Sequence, residues 1–295
     1  MKVIRCAMLA SLVFLGFTAS SCIRTSTMVE VGKDGKGEII SRYYFSPQVK
    51  AMVEQMENAA AAGLGGEGGI GIPDFSLVRD LMDPTLEDLE SDASKFGEGV
   101  SYQSHEKGKD EEGWEGYSVV YAFEDIGKVK IDQNSVPAKA KEFVESSGQD
   151  LNAKKGGSLT FRLEGDTLTI HSTLAEGSME GLVDQDQMDQ AREMGIKPSQ
   201  AMQMAAAAMQ GMRAGFFLRS RDGIAETTAE HSNGNLIILS DAEVSKVMED
   251  PDFVTFIDKV GENPEVLTRE SVKELFGKLE AMTVELSETV TLKFP

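Results

Sequence analysis

The fold is decided by three consecutive segments: IRTSTMVEV (Ile23–Val31), GKDGKG (Gly32–Gly37) and EIISRYYF (Glu38–Phe45). Alternate positions of the first segment carry threonine or valine, and the third segment is rich in β-branched and aromatic residues. Two such segments joined by a glycine-rich turn are typical of a β-hairpin. The sequence therefore predicts two antiparallel strands that open the folded domain.

Groups of predicted strands alternate with predicted helices along the rest of the chain. Helical spacing of apolar residues predicts helices after Ser46-Pro47 and Asp83-Pro84, over 137–147, after the capping sequence Ser240–Glu243, after Pro251, and around Val272–Leu279. Period-two patterns predict strands over 100–106, 114–124, 126–131, 159–163, 168–170 and 282–294, and a three-stranded meander over 215–221, 224–230 and 236–239. Strands grouped in hairpins with helices between them favour an α+β fold, with a mainly antiparallel sheet and several packed helices.

A methionine-rich segment lies near the middle of the chain. Residues 176–213 hold seven of the 15 methionines, and they predict two helical pieces. Methionine side chains adapt to varied apolar partners, so Met202 and Met209 are candidate ligand-binding residues, although packing against the sheet explains them as well. We expect one domain over 22–295, with a possible division into 24–175 and 214–295 joined by this segment.

The composition is strongly acidic. Lysine and arginine number 29 against 49 aspartates and glutamates, which gives a formal net charge of −20. Nucleic-acid binding needs clustered basic side chains, so this balance argues against a nucleic-acid partner. It also argues against attachment to anionic lipid through the protein surface alone.

Residue patterns that carry chemistry are weak. His105, His171 and His231 stand apart in the sequence. The acidic group over Asp184–Asp189 lacks the spacing of a calcium loop, and we interpret the group at Asp110–Glu112 as a solvated hairpin loop. We therefore expect no catalytic residue and no metal site.

A glycine run over 63–71 contains two GxGxxG strings. A dinucleotide site needs a strand before the glycines and a helix after them, whereas a predicted helix precedes this run. We interpret the run as a flexible loop and expect no cofactor.

The first 22 residues have the three parts of a secretory signal. Lys2 and Arg5 precede the apolar run Cys6–Phe17, and small residues then lead to Cys22. The run is too short to cross the roughly 30 Å hydrocarbon core of a bilayer as a helix.

Cys22 directly after Ala19-Ser20-Ser21 resembles the lipobox of bacterial lipoproteins, whose members usually carry leucine at the position of Ala19. The resemblance implies that residues 1–21 are a signal peptide and that the Cys22 sulfur receives a lipid. It also implies acylation of the new amino terminus, for example with palmitate. The alternative is an ordinary secretory signal followed by an unmodified cysteine.

Later segments carry further resemblances. Gly97–Val100, Gly113–Tyr117 and Tyr121–Ile126 resemble a pattern in uncharacterised bacterial lipoproteins, and the cysteine followed by a hairpin is similar to mycobacterial lipoproteins thought to bind lipids or glycolipids. Trp114 and Tyr117 are the motif residues that could stack on sugars or acyl chains. Alternatively, their rings attach the hairpin to the sheet.

The sequence thus predicts a non-enzymatic envelope lipoprotein that faces the periplasm or the cell exterior and acts by binding or scaffolding. Its expected partners are the membrane, through the lipid anchor, and an envelope protein or apolar ligand. The lipoprotein resemblance also implies a sorting rule, in which aspartate after the cysteine retains the protein at the inner membrane. Ile23 occupies that position, so the outer membrane is favoured where the cell has one. A carrier of a lipid or glycolipid is the alternative, and an unidentified hydrolase is the third option.

Overall fold

The computed structural model describes residues 23–61, 76–132, 157–173 and 210–295, together with Lys197, Ser199, Gln200, Gln203 and Ala206. Several predicted features lie outside these residues. They are Cys22, the glycine run over 63–71, the predicted helix over 137–147, the acidic group at Asp184–Asp189, and Met202 and Met209.

Thirteen strands form two sheets in the described chain: β1 (Ile23–Val31), β2 (Gly37–Phe45), β3 (Ser101–Lys109), β4 (Glu115–Phe123), β5 (Lys130–Asp132), β6 (Ser158–Glu164), β7 (Thr167–Ser172), β8 (Arg213–Ser220), β9 (Glu226–Thr227), β10 (Ser232–Asn233), β11 (Leu236–Glu243), β12 (Met282–Val284) and β13 (Thr289–Lys293). The first sheet has the order β10-β11-β8-β1-β2-β4-β3, with β12 beside β11, and the second has the order β5-β6-β7-β13-β9. The β1–β8 pair is parallel, and the other pairs are antiparallel.

Six α-helices accompany the sheets in the described chain: α1 (Pro47–Ala61), α2 (Ser76–Met82), α3 (Leu86–Asp92), α4 (Val244–Glu249), α5 (Pro251–Glu262) and α6 (Arg269–Phe276). Their starts follow local capping rules. Thr85 and Thr268 form capping boxes at α3 and α6, and Asp250 caps α5, whose first residue is a proline. The predicted α+β class with a mainly antiparallel sheet is confirmed.

The opening hairpin forms as predicted and lies at the centre of the first sheet. Strand β1 pairs with β2 on one side and with β8 on the other. Gly35 turns the chain at a φ of 78°. The residue after the turn must also be a glycine, because a Cβ at Gly37 would lie 1.9 Å from the carbonyl oxygen of Glu30.

The apolar interior has two parts. The larger cluster lies between the two sheets and beneath α3, with Val31, Ile39 and Ile170 among its fully buried members. The smaller cluster joins α4, α5 and α6 to β12 and includes Phe253 and Val272. Val29, Val31 and their neighbours in register on β2, β4 and β8 thus define an inner face of the first sheet, and the alternate side chains define its outer face.

Strands of the two proposed halves pair with one another in both sheets. Strand β1 of the 24–175 half pairs with β8 of the 214–295 half, and β7 pairs with β13. Each sheet therefore contains strands from both ends of the chain.

The prediction that Ser240–Glu243 caps a helix is wrong, because these residues continue strand β11. The Arg213 Nε and Nη2 atoms donate to the Asp241 carboxylate at 2.8 and 2.6 Å. Strand β12 also pairs with this part of β11 on its other side. Strand neighbours on both sides outweigh the local helix signal, and α4 begins only at Val244.

The predicted single strand over 282–294 divides into two. Strand β12 belongs to the first sheet and β13 to the second. Between them Glu285 is only 1% exposed, and its carboxylate accepts from the backbone nitrogens of Glu230 at 2.7 Å and Ser287 at 3.1 Å. These bonds hold the crossing between sheets, which the alternating pattern alone does not reveal.

The predicted meander over 215–239 is also wrong. Strand β11 pairs directly with β8, whereas β9 pairs with β13 in the second sheet. The hydroxyl of Thr227 donates to the carbonyl of Thr291 at 2.8 Å and strengthens that pairing. The edge strand β3 is longer than predicted and continues to Lys109, because β4 supplies partners along its whole length.

Candidate functional site

The predicted site residues that the structure describes lie at the end of the first sheet where β1 begins. Strand β1 starts at Ile23, the residue next to Cys22. Arg24 therefore lies two residues from the predicted attachment point, and its side chain is the centre of a cluster that contains Trp114.

The Arg24 guanidinium makes four contacts with residues distant in sequence. Its Cζ atom lies 4.1 Å from the Trp114 ring centroid. Its Nη1 donates to Asp110 at 2.9 Å and its Nη2 to Glu112 at 2.7 Å. Its Nε donates to the carbonyl oxygen of Gly211 at 3.0 Å. One side chain thus joins the beginning of β1 to the β3–β4 turn and to the residue that leads into β8.

The β3–β4 turn is shaped by Asp110 for this role. Its Oδ1 accepts from the backbone nitrogens of Glu112 at 2.9 Å and Trp114 at 2.8 Å. The turn closes through Gly113, whose φ is +83°. Because Oδ1 serves the turn and Oδ2 accepts from Arg24, both oxygens of Asp110 are used. The sequence suggested only a solvated loop at this acidic group.

Gly211 allows the Trp114 ring to lie against the backbone. A Cβ at position 211 would be 2.7 Å from Cζ2 of Trp114, and the φ of Gly211 is +80°. Trp114 is only 8% exposed as a result. The cluster is a packed aromatic–cation contact with two carboxylates on its outer side.

Electrostatics within the cluster favour the charged forms. The hydrogen bond to Glu112 raises the pKa of Arg24, and this effect outweighs partial burial, which lowers it. The same bond holds the pKa of Glu112 below its usual range. The contribution of Glu112 to stability is therefore present above the pKa of an unfolded glutamate and is lost as the pH falls.

The start of β4 carries a second charge cluster beside Trp114. Lys50 of α1 and Lys109 of β3 lie 2.6 and 2.9 Å from the carboxylate of Glu115. Their hydrogen bonds lower the pKa of Glu115 to about 2. This carboxylate links helix α1 to the β3–β4 hairpin at neutral pH.

Tyr117 lies on the inner face of the sheet and not in the Arg24 cluster. It is 2% exposed, and its ring centroid is 5.2 Å from that of Tyr43. Burial raises the pKa of Tyr117 well above its usual value. Trp114 and Tyr117 are both buried, which is the position that attachment of the hairpin to the sheet requires. Their role in ligand binding stays a prediction.

Hydroxyl groups occupy the inner face next to these tyrosines. Ser41 lies in register between Thr27 of β1 and Val119 of β4. It is 1% exposed, and its Oγ makes no hydrogen bond of good geometry among the described residues. Its polar neighbour is Tyr43: burial raises the pKa of that tyrosine, and the Ser41 hydroxyl acts in the opposite direction. Leaving a buried hydroxyl unsatisfied costs about 1–3 kcal/mol, so Ser41 lowers the stability of the larger core.

An open groove of about 700 Å³ runs between α3 and the start of β3, and Glu90, Glu98, Val100 and Tyr102 line it. It contains none of the predicted site residues. The Tyr102 hydroxyl lies 2.7 Å from Nδ1 of His105, so this histidine is engaged by its own strand.

The other candidate groups are dispersed. His171 lies 3.3 Å from the hydroxyl of Thr289 in the second sheet, and His231 lies beside β10. The described residues contain no group of three or more His, Cys, Asp or Glu side chains that could hold a metal ion. They also contain no helix with the length and apolar character needed to cross a bilayer.

The fold and the cluster define an α+β protein of two sheets with an aromatic–cation contact at the start of its central strand. Among solved structures, the chain is similar to the NMR structure of the folded domain of LppM from Mycobacterium tuberculosis. The TM-score is 0.25 with 11% identity, covering 74% of this chain and 80% of that chain. A TM-score of this size assigns neither a shared fold nor a function. No protein-family model matches the chain, and no curated protein matches it.

We expect Gly211→Ala to destabilise the protein more than Gly99→Ala does. Both glycines have a φ near +80°, so both substitutions cost about 1–2 kcal/mol in backbone strain. Only the methyl group at 211 meets Trp114, which adds about 1–3 kcal/mol of overpacking. Denaturant unfolding measures the difference. Equal losses for the two variants would show that the ring moves away without cost.

Arg24→Lys should loosen the cluster, because an ammonium group cannot hold two carboxylates and a carbonyl while stacking on an indole. We expect a loss of about 1–2 kcal/mol in the free energy of unfolding. Trp114 is the only tryptophan, so its fluorescence emission should move to longer wavelength. The control is Arg219→Lys, since Arg219 makes a single ion pair within the described residues, to Glu30 at 3.6 Å. An unchanged spectrum for Arg24→Lys would contradict the assigned contact.

Proposed function

We propose that this chain is a lipoprotein of the bacterial cell envelope, anchored through Cys22, with a non-enzymatic binding or scaffolding role. The observation that carries the proposal is the position of the lipobox-like cysteine, which directly precedes the central strand of the fold. A chain spans at most about 3.6 Å per residue. The anchor would therefore lie within roughly 7 Å of the Arg24 backbone, and the folded body would sit at the membrane surface.

The Arg24 cluster supports this proposal because it strengthens the protein at the point where an anchor would pull. Force applied to a terminal strand peels it from its neighbours one pair at a time. Arg24 connects the beginning of β1 to the β3–β4 turn and to Gly211, in addition to the backbone pairing with β2 and β8. A tether at Cys22 would thus transmit its load to several strands.

The net charge agrees with anchoring by lipid instead of by surface attraction. The whole chain has a net charge of −20, and removal of Lys2 and Arg5 with the leader leaves a body of net charge −22, which anionic headgroups repel. One acyl chain gives only marginal membrane binding, whereas two or more hold firmly, as in a lipid-modified cysteine with an acylated amino terminus. Ile23 after the cysteine favours the outer membrane as the location where the cell has one.

The scaffolding role is supported by the structural contacts of the acidic residues in the β3–β4 turn. Asp110 and Glu112 pair with Arg24, and Asp110 also shapes the β3–β4 turn. These contacts give the two carboxylates a structural purpose. We therefore assign the turn to support and not to acid–base chemistry.

Cys22→Ser should abolish incorporation of a radiolabelled or clickable fatty acid, because serine offers no thiol for the lipid. The chain's other cysteine provides the matched control. Cys6 lies in the predicted leader, so Cys6→Ser should leave the label in place.

Mass spectrometry of the intact mature chain checks the same proposal independently. The wild type should begin at position 22 and carry the added mass of its lipids. A wild-type chain with an unmodified Cys22, or with residues 1–21 still attached, would overturn the anchor.

A second candidate function is a carrier of a lipid or glycolipid, and Ser41 favours it. The inner face near the anchor end carries Thr25, Thr27 and Ser41 where a filled core would carry apolar side chains. The Oγ of Ser41 is buried without a hydrogen bond of good geometry among the described residues. A polar group of a bound ligand would satisfy it.

The carrier function predicts a ligand that copurifies with residues 24–295, prepared without the leader and the attachment cysteine. Extraction with organic solvent and mass spectrometry should then detect a stoichiometric lipid. Ser41→Ala should lower the recovered amount if the ligand bonds to this hydroxyl. Thr160→Ala, on an exposed position of β6, is the control. Repeated absence of any lipid would exclude the carrier and leave the scaffolding role standing.

A further inference from the structure

A row of apolar side chains crosses the outer face of the first sheet. Register places Ile238 of β11 beside Phe217 of β8, Phe217 beside Met28 of β1, Met28 beside Ile40 of β2, and Ile40 beside Val120 of β4. Outward positions of an antiparallel sheet that faces water are normally polar. Five apolar residues in register across five strands therefore indicate a contact surface.

The row does not belong to the interior described above. None of the five residues is part of either apolar cluster of the described chain. Met28 is 5% exposed, and the other four are partly exposed. Phe217 lies over Gly215, where a Cβ would be 2.6 Å from the ring.

Charges around the row balance, unlike those of the whole chain. The outer positions of β11, β8, β1 and β2 carry four arginines and four acidic residues, namely Arg24, Arg42, Arg213, Arg219, Glu30, Glu38, Asp241 and Glu243. A protein of net charge −20 repels its own copies, and a locally neutral face minimises that repulsion. Arg42 is half-buried in this face and has no ion-pair partner among the described residues.

We propose that this face binds the same face of a second copy, with a two-fold axis parallel to the strands and between β1 and β8. Aligned sheets pack face to face about 10 Å apart. In this arrangement Met28 faces Phe217 of the second copy, and Ile40 faces its Ile238.

The same arrangement places several of the charged residues beside the row opposite residues of the other sign. Arg42 faces Asp241 of the second copy, and Glu30 faces its Arg219. Symmetry repeats each pair, so the interface gains four contacts between opposite charges beside the apolar row. Arg24 also faces Arg213 of the second copy. Both arginines already have acidic partners in their own copy, which reduces this repulsion. Arg42, which lacks a partner in one copy, acquires one.

The size of the face fits a stable dimer. Four strands at about 4.8 Å spacing and roughly 30 Å length bury about 1,100 Å² over both copies. A specific interface should exceed about 1,000 Å² in total. This axis also brings the Cys22 ends of both copies to the same side of the dimer. The relevance of that position rests on the proposed lipid anchor, whereas the apolar row, the charges and the area are independent of it.

Sedimentation of the purified full chain in nonionic detergent tests the proposal, and we expect a concentration-dependent dimer. Arg42→Glu puts two like-charged pairs into the interface and should raise the dissociation constant at least about tenfold. Arg162→Glu is the matched control, because Arg162 lies exposed on the second sheet beside Glu164. A wild-type monomer, or a dimer that Arg42→Glu leaves unchanged, would overturn the proposal. Vesicle binding by a monomeric chain through this face would overturn it in favour of a lipid surface.

Cross-linking tests the axis with conservative variants that preserve the fold. A bismaleimide should join an Ile40→Cys copy to an Ile238→Cys copy, each with a different tag, more efficiently than it joins two Ile40→Cys copies. The wild-type chain gives the background from Cys6 and Cys22. Preferential linkage of Ile40→Cys to itself would place the axis along the row and contradict the arrangement. These readouts do not require acylation, so they remain informative even where the lipid anchor fails.

Discussion

The parallel pairing of β1 with β8 is the constraint on which the rest of the structure depends. Strand β1 ends at Val31 and β8 begins at Arg213, so the connection between two neighbouring strands contains most of the chain. Parallel neighbours cannot be joined by a tight turn, and the long connection is used to build β3 and β4 and the strands β5 to β7. The second sheet is therefore formed largely within this crossover, and β13 returns from the carboxyl end to complete it.

The Arg24 cluster depends on that pairing. Arg24 and Gly211 are 187 residues apart in sequence, yet the register of β1 with β8 puts Arg24 beside Arg213. The β3–β4 turn reaches the same end because β4 pairs with the whole of β2, which brings Trp114 to the beginning of β1. The ion pairs then stabilise a cluster whose residues the strand order has already brought together. Its ion pairs are partly exposed, so their specificity for this geometry matters more than their energy.

Local patterns predicted those elements whose signals are complete within a few residues. The opening hairpin, the β6–β7 hairpin, and α5 with its Asp250 cap and Pro251 follow from turn residues, period and capping. The wrong predictions concern residues whose backbone conformation is determined by a strand distant in sequence. Residues 240–243 remain extended because Arg213 and β12 hold them, and Glu285 divides the last strand through a bond from Glu230. Arg24 was missed for the same reason, since nothing near it in sequence indicates Asp110, Trp114 or Gly211. Trp114 and Tyr117 were predicted from residue type alone, and only the fold separates a ring in the cluster from a ring in the core.

The direction of β1 connects the proposed lipid anchor with the proposed dimer. A two-fold axis parallel to the strands leaves both copies of Cys22 at one end, so two anchors could enter the same membrane only if that axis stands along the membrane normal. The strands would then rise about 30 Å from the surface, and the acidic remainder of each copy would be directed away from anionic headgroups. An axis across the strands would instead place the anchors at opposite ends, and one membrane could not receive both without laying the sheets on their edges. Because β1 is central in the first sheet, its beginning would then lie about 14 Å from either edge, farther than one residue of tether can span. An anchor immediately before a central strand is thus compatible with an upright dimer and not with a flat one.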